Sequence, residues 1–303
     1  MRCYRITVFL FFIFSFVFNS SAVYCQDFEK VEITAEKVAG NVFMLQGKGG
    51  NIGACVGDDA VFLVDDQFAP LTEKIKFAIS KISNKKIRFV INTHWHYDHV
   101  GGNENLGDAG AAIVAHENVR YRMSTDQVIA FFNAEVPASP KAALPIITFS
   151  RDIRFYLNGE EIHIFHEKNA HTDGDAVVFF KKSNVIHTGD IYFSGIYPFI
   201  DLSSHGSIDG IISAAKHILS IINENTKIIP GHGPMSNKSE FTVYIEMLET
   251  LRNRVREHIS NGKTLKEIHG LRPSKEFDAV WGDGFLTPDK FVQILYEDLS
   301  RSK

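Results

Sequence analysis

Cysteine is scarce in this chain: 303 residues contain three, Cys3, Cys25 and Cys55. That excludes the disulfide framework that holds small secreted domains together, so stability must come from a packed core. An excess of one charge is also missing. Lys and Arg number 32 and Asp and Glu 36, a formal net charge of −4. A protein that neutralises several phosphates carries a basic stripe, and the pairs Lys85-Lys86 and Lys181-Lys182 are too short to make one, so no nucleic-acid partner is expected. There is no internal repeat, and low complexity is confined to the N-terminus. The longest apolar run, Ile6 to Phe18, falls short of the roughly 20 residues of a membrane-spanning helix. Phenylalanine, by contrast, is plentiful, with 25 residues in a composition that is 45% hydrophobic. That is enough apolar side chain for a large soluble core.

The apolar run follows Arg2 and Arg5 and precedes Asn19-Ser20-Ser21-Ala22. A charged start, an apolar stretch and small residues at Ser20 and Ala22 read as a cleavable signal peptide over residues 1–22. Export to the periplasm or beyond is expected, without a stable membrane anchor. Tyr24, directly before Cys25, is not the small residue that a lipid-attachment signal needs. Cys55 falls in the apolar stretch Ile52–Val56 and is expected to be a buried small residue.

After the signal the pattern changes to short strands. Val42–Leu45, Ile52–Val56 and Val61–Val64 are separated by Gly- and Asp-rich turns. A helix over Leu71–Ile82 leads to a strand at Ile87–Asn92, then a strand at Ala111–Ala115 and a helix at His116–Met123. A second set of strands covers Ile153–Leu157, Glu161–His166, Ala176–Phe180 and Val185–His187. The segment Ile208–Ile222 puts Ile208, Ile211, Ile212, Ala215, Ile218, Leu219 and Ile222 on one helical face. A strand at Lys227–Ile229 ends this half. Two strand-then-helix halves predict an α/β fold, an αββα four-layer sandwich. The catalytic domain is expected over residues 23–238. Residues 239–303 read as a C-terminal helical cap on it, with Phe241, Ile245, Leu248 and Val255 on one stripe and shorter helices at Leu265–His269 and Pro288–Leu299.

Chemistry concentrates in T-H-W-H-Y-D-H-V-G-G, Thr93 to Gly102, directly after a buried strand. His94 and His96 alternate around Trp95, which is expected in the core, so both imidazoles can face one cation. Asp98 and His99 lie in the turn beyond and can reach a second. Imidazole with carboxylate suits a borderline metal such as zinc. His171 opens H-T-D-G-D, Asp190 closes T-G-D and His232 lies in P-G-H-G, each following a predicted strand. Ligands at successive strand ends converge on one edge of a sandwich, and the flanking glycines permit close approach.

Taken in order from Val42 to Met235, these motifs closely resemble the metallo-β-lactamase superfamily. The resemblance implies that His94, His96 and His171 hold a first metal and Asp98, His99 and His232 a second, with Asp190 bridging them. It also implies that Asp65 of L-V-D-D supports the site from behind the ligands. The expected cofactor is a pair of Zn2+ ions rather than iron or manganese. The expected activity is hydrolysis by a metal-bound hydroxide, with Asp98 as the catalytic residue that orients the nucleophile and assists proton transfer. Of the other histidines, His187 is the one placed to support the site.

The expected substrate is a small molecule, a cyclic amide, ester, lactone or thioester. The best-known β-lactamase branch has cysteine where this chain has Asp190, and a drug-binding lysine where it has Phe193. The aspartate instead resembles thioesterase and lactonase branches. Segments Val128–Pro145 and Phe193–Phe199 are expected to flank the metals with apolar and aromatic side chains. Two other readings compete: a mononuclear iron oxidoreductase like the persulfide dioxygenases, and a non-catalytic metal-binding accessory protein. The signal reading has a direct check. Sequencing the N-terminus of protein exported by its native host should give Val23 first, and a chain that keeps Met1 and sediments with membranes would contradict it.

Overall fold

The computed structural model describes residues 28–301; the expected signal segment, with Cys3 and Cys25, lies outside them. Strands β1 (Thr34–Ala39), β2 (Val42–Gln46), β3 (Ile52–Val56) and β4 (Val61–Val64) pair antiparallel in sequence order. Helix α1 (Thr72–Ser80) returns the chain so that β5 (Ile87–Ile91) runs parallel to β4. Short helices α2 (Tyr97–Val100) and α3 (Asn103–Asp108) lead to β6 (Ala112–His116), and α4 (Glu117–Met123) follows with the His116 ring as its N-cap. A separate hairpin, β7 (Gln127–Ile129) and β8 (Ala134–Val136), precedes β9 (Ile147–Phe149), which completes a seven-stranded sheet beside β6.

The second sheet has six strands in sequence order: β10 (Asp152–Leu157), β11 (Glu160–His166), β12 (Ala176–Phe180), β13 (Val185–His187), β14 (Lys227–Ile229) and β15 (Ser236–Asn237). Only β13 and β14 run parallel, because α5 (Ile208–Ile221) carries the chain between them. The chain ends in α6 (Lys238–Ser260), α7 (Leu265–Leu271), α8 (Asp278–Trp281) and α9 (Pro288–Arg301).

Period-two alternation explains the layering. On β4, Phe62 and Val64 face the second sheet, while Val61 and Leu63 face α1. The middle layer joins Val42, Cys55, Phe62 and Ile91 to Ile162, Ile164, Val178 and Phe180. The outer layer under α1 holds Ile75 and Ile79 against Leu63 and Val90. On the far side, Val177, Phe179 and Ile186 pack against α5, and α6 and α9 extend the same cluster through Leu248, Leu251, Phe291 and Leu295. The result is the expected αββα sandwich with C-terminal helices. Cys55 is fully buried in the middle layer, and burial pushes its thiol up to about 12, which keeps it unreactive.

Several elements differ from the sequence reading. Strand β1 was not predicted, because Thr34–Lys37 are exposed and its place comes from pairing with β2 rather than from burial. The helix expected at Leu71–Ile82 is shorter, since Pro70 opens a 3-10 turn that takes up Leu71. The β7–β8 hairpin and β9 fall in or beside the segment read as loop, and β15 and α8 are too short to leave a periodic signal. Among the described residues no helix is long and apolar enough to cross a membrane.

Phe62 meets Phe89, Phe155 and Phe180 at ring-centroid distances of 6.3, 5.3 and 6.2 Å between the two sheets. Phe62→Ala should cost about 3–5 kcal/mol in urea unfolding. A loss under about 1 kcal/mol would mean that the sheets do not close tightly over this ring.

Candidate metal centre

Five chain segments, those after β4, β5, β11, β13 and β14, end at the same edge of the sandwich. After β4 the backbone turns sharply, with Asp65 and Gln67 at φ of 63° and 56°. This aims the Asp65 carboxylate at the loop after β5. There Asp65 accepts from Thr93 N and Thr93 Oγ1, both at 2.7 Å, and from His99 Nδ1 at 2.8 Å. Thr93 Oγ1 in turn lies 3.0 Å from His94 Nδ1, and because its own proton goes to Asp65 it accepts from His94. His94 Nε2 is thereby left bare, buried and without a hydrogen-bond partner.

His96, His99 and His171 follow the same rule: one nitrogen is held from behind while the other faces the centre. His96 Nε2 lies 3.1 Å from Asp201 Oδ2, and His171 Nδ1 lies 2.8 Å from the Phe199 carbonyl. Their opposite nitrogens, His96 Nδ1 and His171 Nε2, face each other at 2.9 Å. Asp175 fixes the His171 loop by accepting from His171 N and Thr172 N at 2.6 and 2.8 Å. His232 follows β14, and Phe193 stacks on its ring at 5.1 Å and 17°. His187 supports the Asp190 turn, with Nε2 3.0 Å from the Asn51 carbonyl and Nδ1 accepting from Gly189 N.

Potential ligand atoms fall into two groups, each with members within 4.8 Å of one another. One comprises His94, His96, His171 and Asp190, the other Asp98, His99 and His232. Asp190 faces both. Its Oδ2 lies 3.7 Å from His94 Nε2 and 3.5 Å from both His171 Nε2 and His232 Nε2, and its Oδ1 lies 3.2 Å from His99 Nε2. At His99 the contact is an ion pair without hydrogen-bond geometry, so the buried Oδ1 has no hydrogen-bond partner. Asp98 stands at the open side, with Oδ2 3.4 Å from His232 Nε2 and 3.7 Å from His99 Nε2. Two glycines are required. A β-carbon on Gly50 would lie 2.1 Å from the His99 ring, and one on Gly231 would lie 2.0 Å from Asp190 Oδ1.

The electrostatics match a site built for cations. Burial opposes charge on Asp190, yet His99, His232 and His94 outweigh it and hold the carboxyl well below its usual range. Burial likewise opposes charge on His99 and His232, but Asp190 and Asp98 raise both above the ordinary imidazole range. His94, dominated by burial and the neighbouring His99, is held well below it. A buried cluster of bare imidazole nitrogens and partnerless carboxylate oxygen fits divalent cations of the zinc class.

The cleft above these residues has a volume of about 440 Å3 and is lined by Ile129 and Phe132 from one expected segment and Phe193, Ile196 and Phe199 from the other. Trp95 is buried and donates from Nε1 to Ser204 Oγ. Asp201 was missed in the sequence, because an aspartate far from any motif carries no signal. Asp175 was legible as the last residue of H-T-D-G-D. Phe68, Tyr97 and Phe285 also line the cleft without having been anticipated.

The family model for the Metallo-beta-lactamase superfamily matches residues 39–239. Among curated proteins, the chain is 26% identical over 200 residues to a hydroxyacylglutathione hydrolase of Pelagibacter ubique, covering 62% of this chain and 72% of that protein. It is 26% identical over 180 residues to a type 2 metallo-beta-lactamase of Elizabethkingia meningoseptica, covering 55% and 65%. Among solved structures, DIM-1 metallo-beta-lactamase aligns over 73% of this chain and 99% of its own, with TM-score 0.59 and 23% identity. A metallo-beta-lactamase from Pontibacter korlensis aligns over 72% and 99%, with TM-score 0.60 and 17% identity. At these identities the structural likeness is one of fold.

Asp201 provides the test of how the ligands are held. Asp201→Asn keeps an oxygen for the Ser203 and Ser204 amides but offers His96 an amide in place of a carboxylate. Metal affinity, read by competition with a chelating dye, should fall about tenfold or more. Unchanged affinity would show that His96 needs no such partner.

Proposed function

Because the chain belongs to the metallo-beta-lactamase superfamily, we propose that this metallo-hydrolase works with two zinc-type ions on the carbonyl of a small cyclic amide, lactone, ester or thioester. The observation that carries the reading is Asp190, whose buried carboxylate faces both groups of imidazoles, Oδ2 toward His94, His171 and His232 and Oδ1 toward His99. In this reading His94, His96 and His171 hold one ion, and Asp98, His99 and His232 the other. A group spared for a single iron would not need Asp98, His99 and His232 gathered so closely, which favours hydrolysis over the one-iron oxidoreductase reading.

Bound there, two divalent cations would supply a water of near-neutral pKa and offset negative charge growing on a carbonyl oxygen. The protein's own groups do the rest. Asp98 is the more open of the two carboxylates that line the cleft, with 29% of its side chain exposed against 5% for Asp190. Its backbone is fixed, since its carbonyl accepts from Gly50 N at 3.1 Å and Gly49 packs against it. From that position it can orient the attacking water, take its proton and hand it to the leaving group. Phe193 and Phe199 close the floor of the cleft to bulk water, which strengthens each electrostatic contact within it. The relatives named for hydroxyacylglutathione and β-lactam hydrolysis support a carbonyl substrate. Phe193, packed on His232, offers no side-chain cation to the carboxylate of a β-lactam drug.

Purified protein loaded with zinc should hold close to two ions per chain by plasma mass spectrometry, and Asp190→Ala should lower that count and cut the hydrolysis of 4-nitrophenyl acetate at least a hundredfold. A fully active protein holding one ion would overturn the two-ion reading. Metal uptake should also release protons. His99 and His232 hold theirs above the usual pH range in the metal-free protein, and a cation must displace them. Apparent affinity should therefore rise as pH rises through neutrality. Calorimetry in buffers of different ionisation enthalpy measures the release, and a pH-independent affinity with no proton release would contradict it.

A further inference from the structure

One wall of the cleft is built by phenyl side chains that are not themselves ligands, and part of it comes from beyond the family match. Phe285 lies in the loop between α8 and α9, while the matched residues end at 239. Its ring is 6.3 Å from Phe132 and 6.5 Å from Phe199, and Phe132 lies 4.8 Å from Phe199. Phe199 in turn lies 5.9 Å from the His96 ring and 5.8 Å from His171, so the three phenyl rings lead outward from the first ligand group.

The loop bearing Phe285 is pinned against the cleft. Tyr197 donates from its backbone N to the Trp281 carbonyl at 3.0 Å, and its hydroxyl donates to Asp278 Oδ1 at 3.0 Å. Gly284 presses on Ile196, where a β-carbon would lie 2.8 Å from that side chain. Leu286, next in sequence, is fully buried. Phe132 is held by the β7–β8 turn, where Asn133 takes φ 48° and Ala130 N donates to Ser203 Oγ. Yet Phe132 and Phe285 themselves are 43% and 56% exposed. Two large apolar rings on rigid supports, in contact with each other yet each about half open, have their uncovered surface in the cleft rather than in the core.

We propose that Phe132, Phe199 and Phe285 form a slot for an uncharged alkyl or aryl group on the acyl carbon of the substrate, with Phe285 as the specificity-determining residue supplied by the C-terminal segment. This rests on the carbonyl-hydrolase reading above. The side follows from that reading: Asp98 passes its proton to the leaving group beside His99 and His232, which leaves the acyl part over His96, His171 and Phe199. The absence of a charge on that part follows from the lining. Among the described residues, those around the cleft include no lysine or arginine. A carboxylate carried into the slot would lose its water against three phenyl rings and gain no partner.

Zinc-loaded protein tested with the 4-nitrophenyl esters of acetic, butanoic, hexanoic and octanoic acids reads the slot directly. Each methylene that it takes up should raise kcat/KM about threefold to fourfold until the slot is full. Octanoate should exceed acetate at least tenfold, and the mono-4-nitrophenyl ester of adipic acid should fall at least tenfold below hexanoate. Phe285→Ala should reduce the octanoate-to-acetate ratio about tenfold, and Phe285→Leu, which restores apolar surface, should recover much of it. An undiminished ratio in Phe285→Ala, or equal turnover of the adipate and hexanoate esters, overturns the proposal. Calorimetric binding of octanamide, which needs no turnover, separates the two claims. If no ester is hydrolysed but octanamide binds and Phe285→Ala weakens it at least fivefold, the slot stands and the hydrolase reading fails. Octanamide binding equally to wild type and Phe285→Ala rejects the slot whatever the hydrolysis shows.

Discussion

A carboxylate taken out of water must be paired, and the structure turns on how Asp190 meets that demand. It is almost fully buried, and Oδ1 makes no hydrogen bond at all. Removing a charge from water costs several kcal/mol even after relaxation. The compensation available is the ring of imidazoles around it, of which His94, His96, His99 and His171 are buried and turned inward by an acceptor behind each. Such a cluster is a poor way to stabilise a fold, since well-packed apolar side chains would do better. It is a good way to hold cations, whose charge satisfies the carboxylates and the bare nitrogens together. The same atoms that look unsatisfied as protein chemistry are in place as coordination chemistry.

The sandwich explains why this can be done with short segments. The central strands of both sheets are buried on both faces, so they are stiff and their ends are fixed in space. The ligands sit just past β5, β11, β13 and β14, and the supports sit past β4 and in the loop that carries Phe199 and Asp201. Close approach is possible because Gly50 and Gly231 have no side chain where His99 and Asp190 need the room. The C-terminal helices belong to the same hydrophobic cluster as α5, so the loop bearing Phe285 is carried by the core and not merely appended to it.

Much of this was legible in the sequence, for a physical reason. Strands such as Ala176–Phe180 and Val185–His187 are buried throughout and leave apolar runs, and the ligand motifs stand directly beside those runs, H-T-D-G-D before the first and T-G-D after the second. Asp65 could be read because it stands at such an end. Asp201 could not, because its role depends on the loop after Phe193 folding back to His96, a long-range contact that no local pattern records. Strand β1 and the β7–β8 hairpin escaped because pairing, not burial, forms them. Phe285 escaped because an aromatic residue in a helical tail reads as packing until its neighbours across the cleft are known.

The central claim is that Asp190 stands between two cation positions. Anomalous diffraction at the zinc edge from crystals of the zinc-loaded protein tests it most directly. The account predicts two peaks roughly 3.5–4 Å apart, one among His94, His96 and His171 and the other among Asp98, His99 and His232, each next to an oxygen of Asp190. A single peak, or a second one away from Asp190, would contradict it.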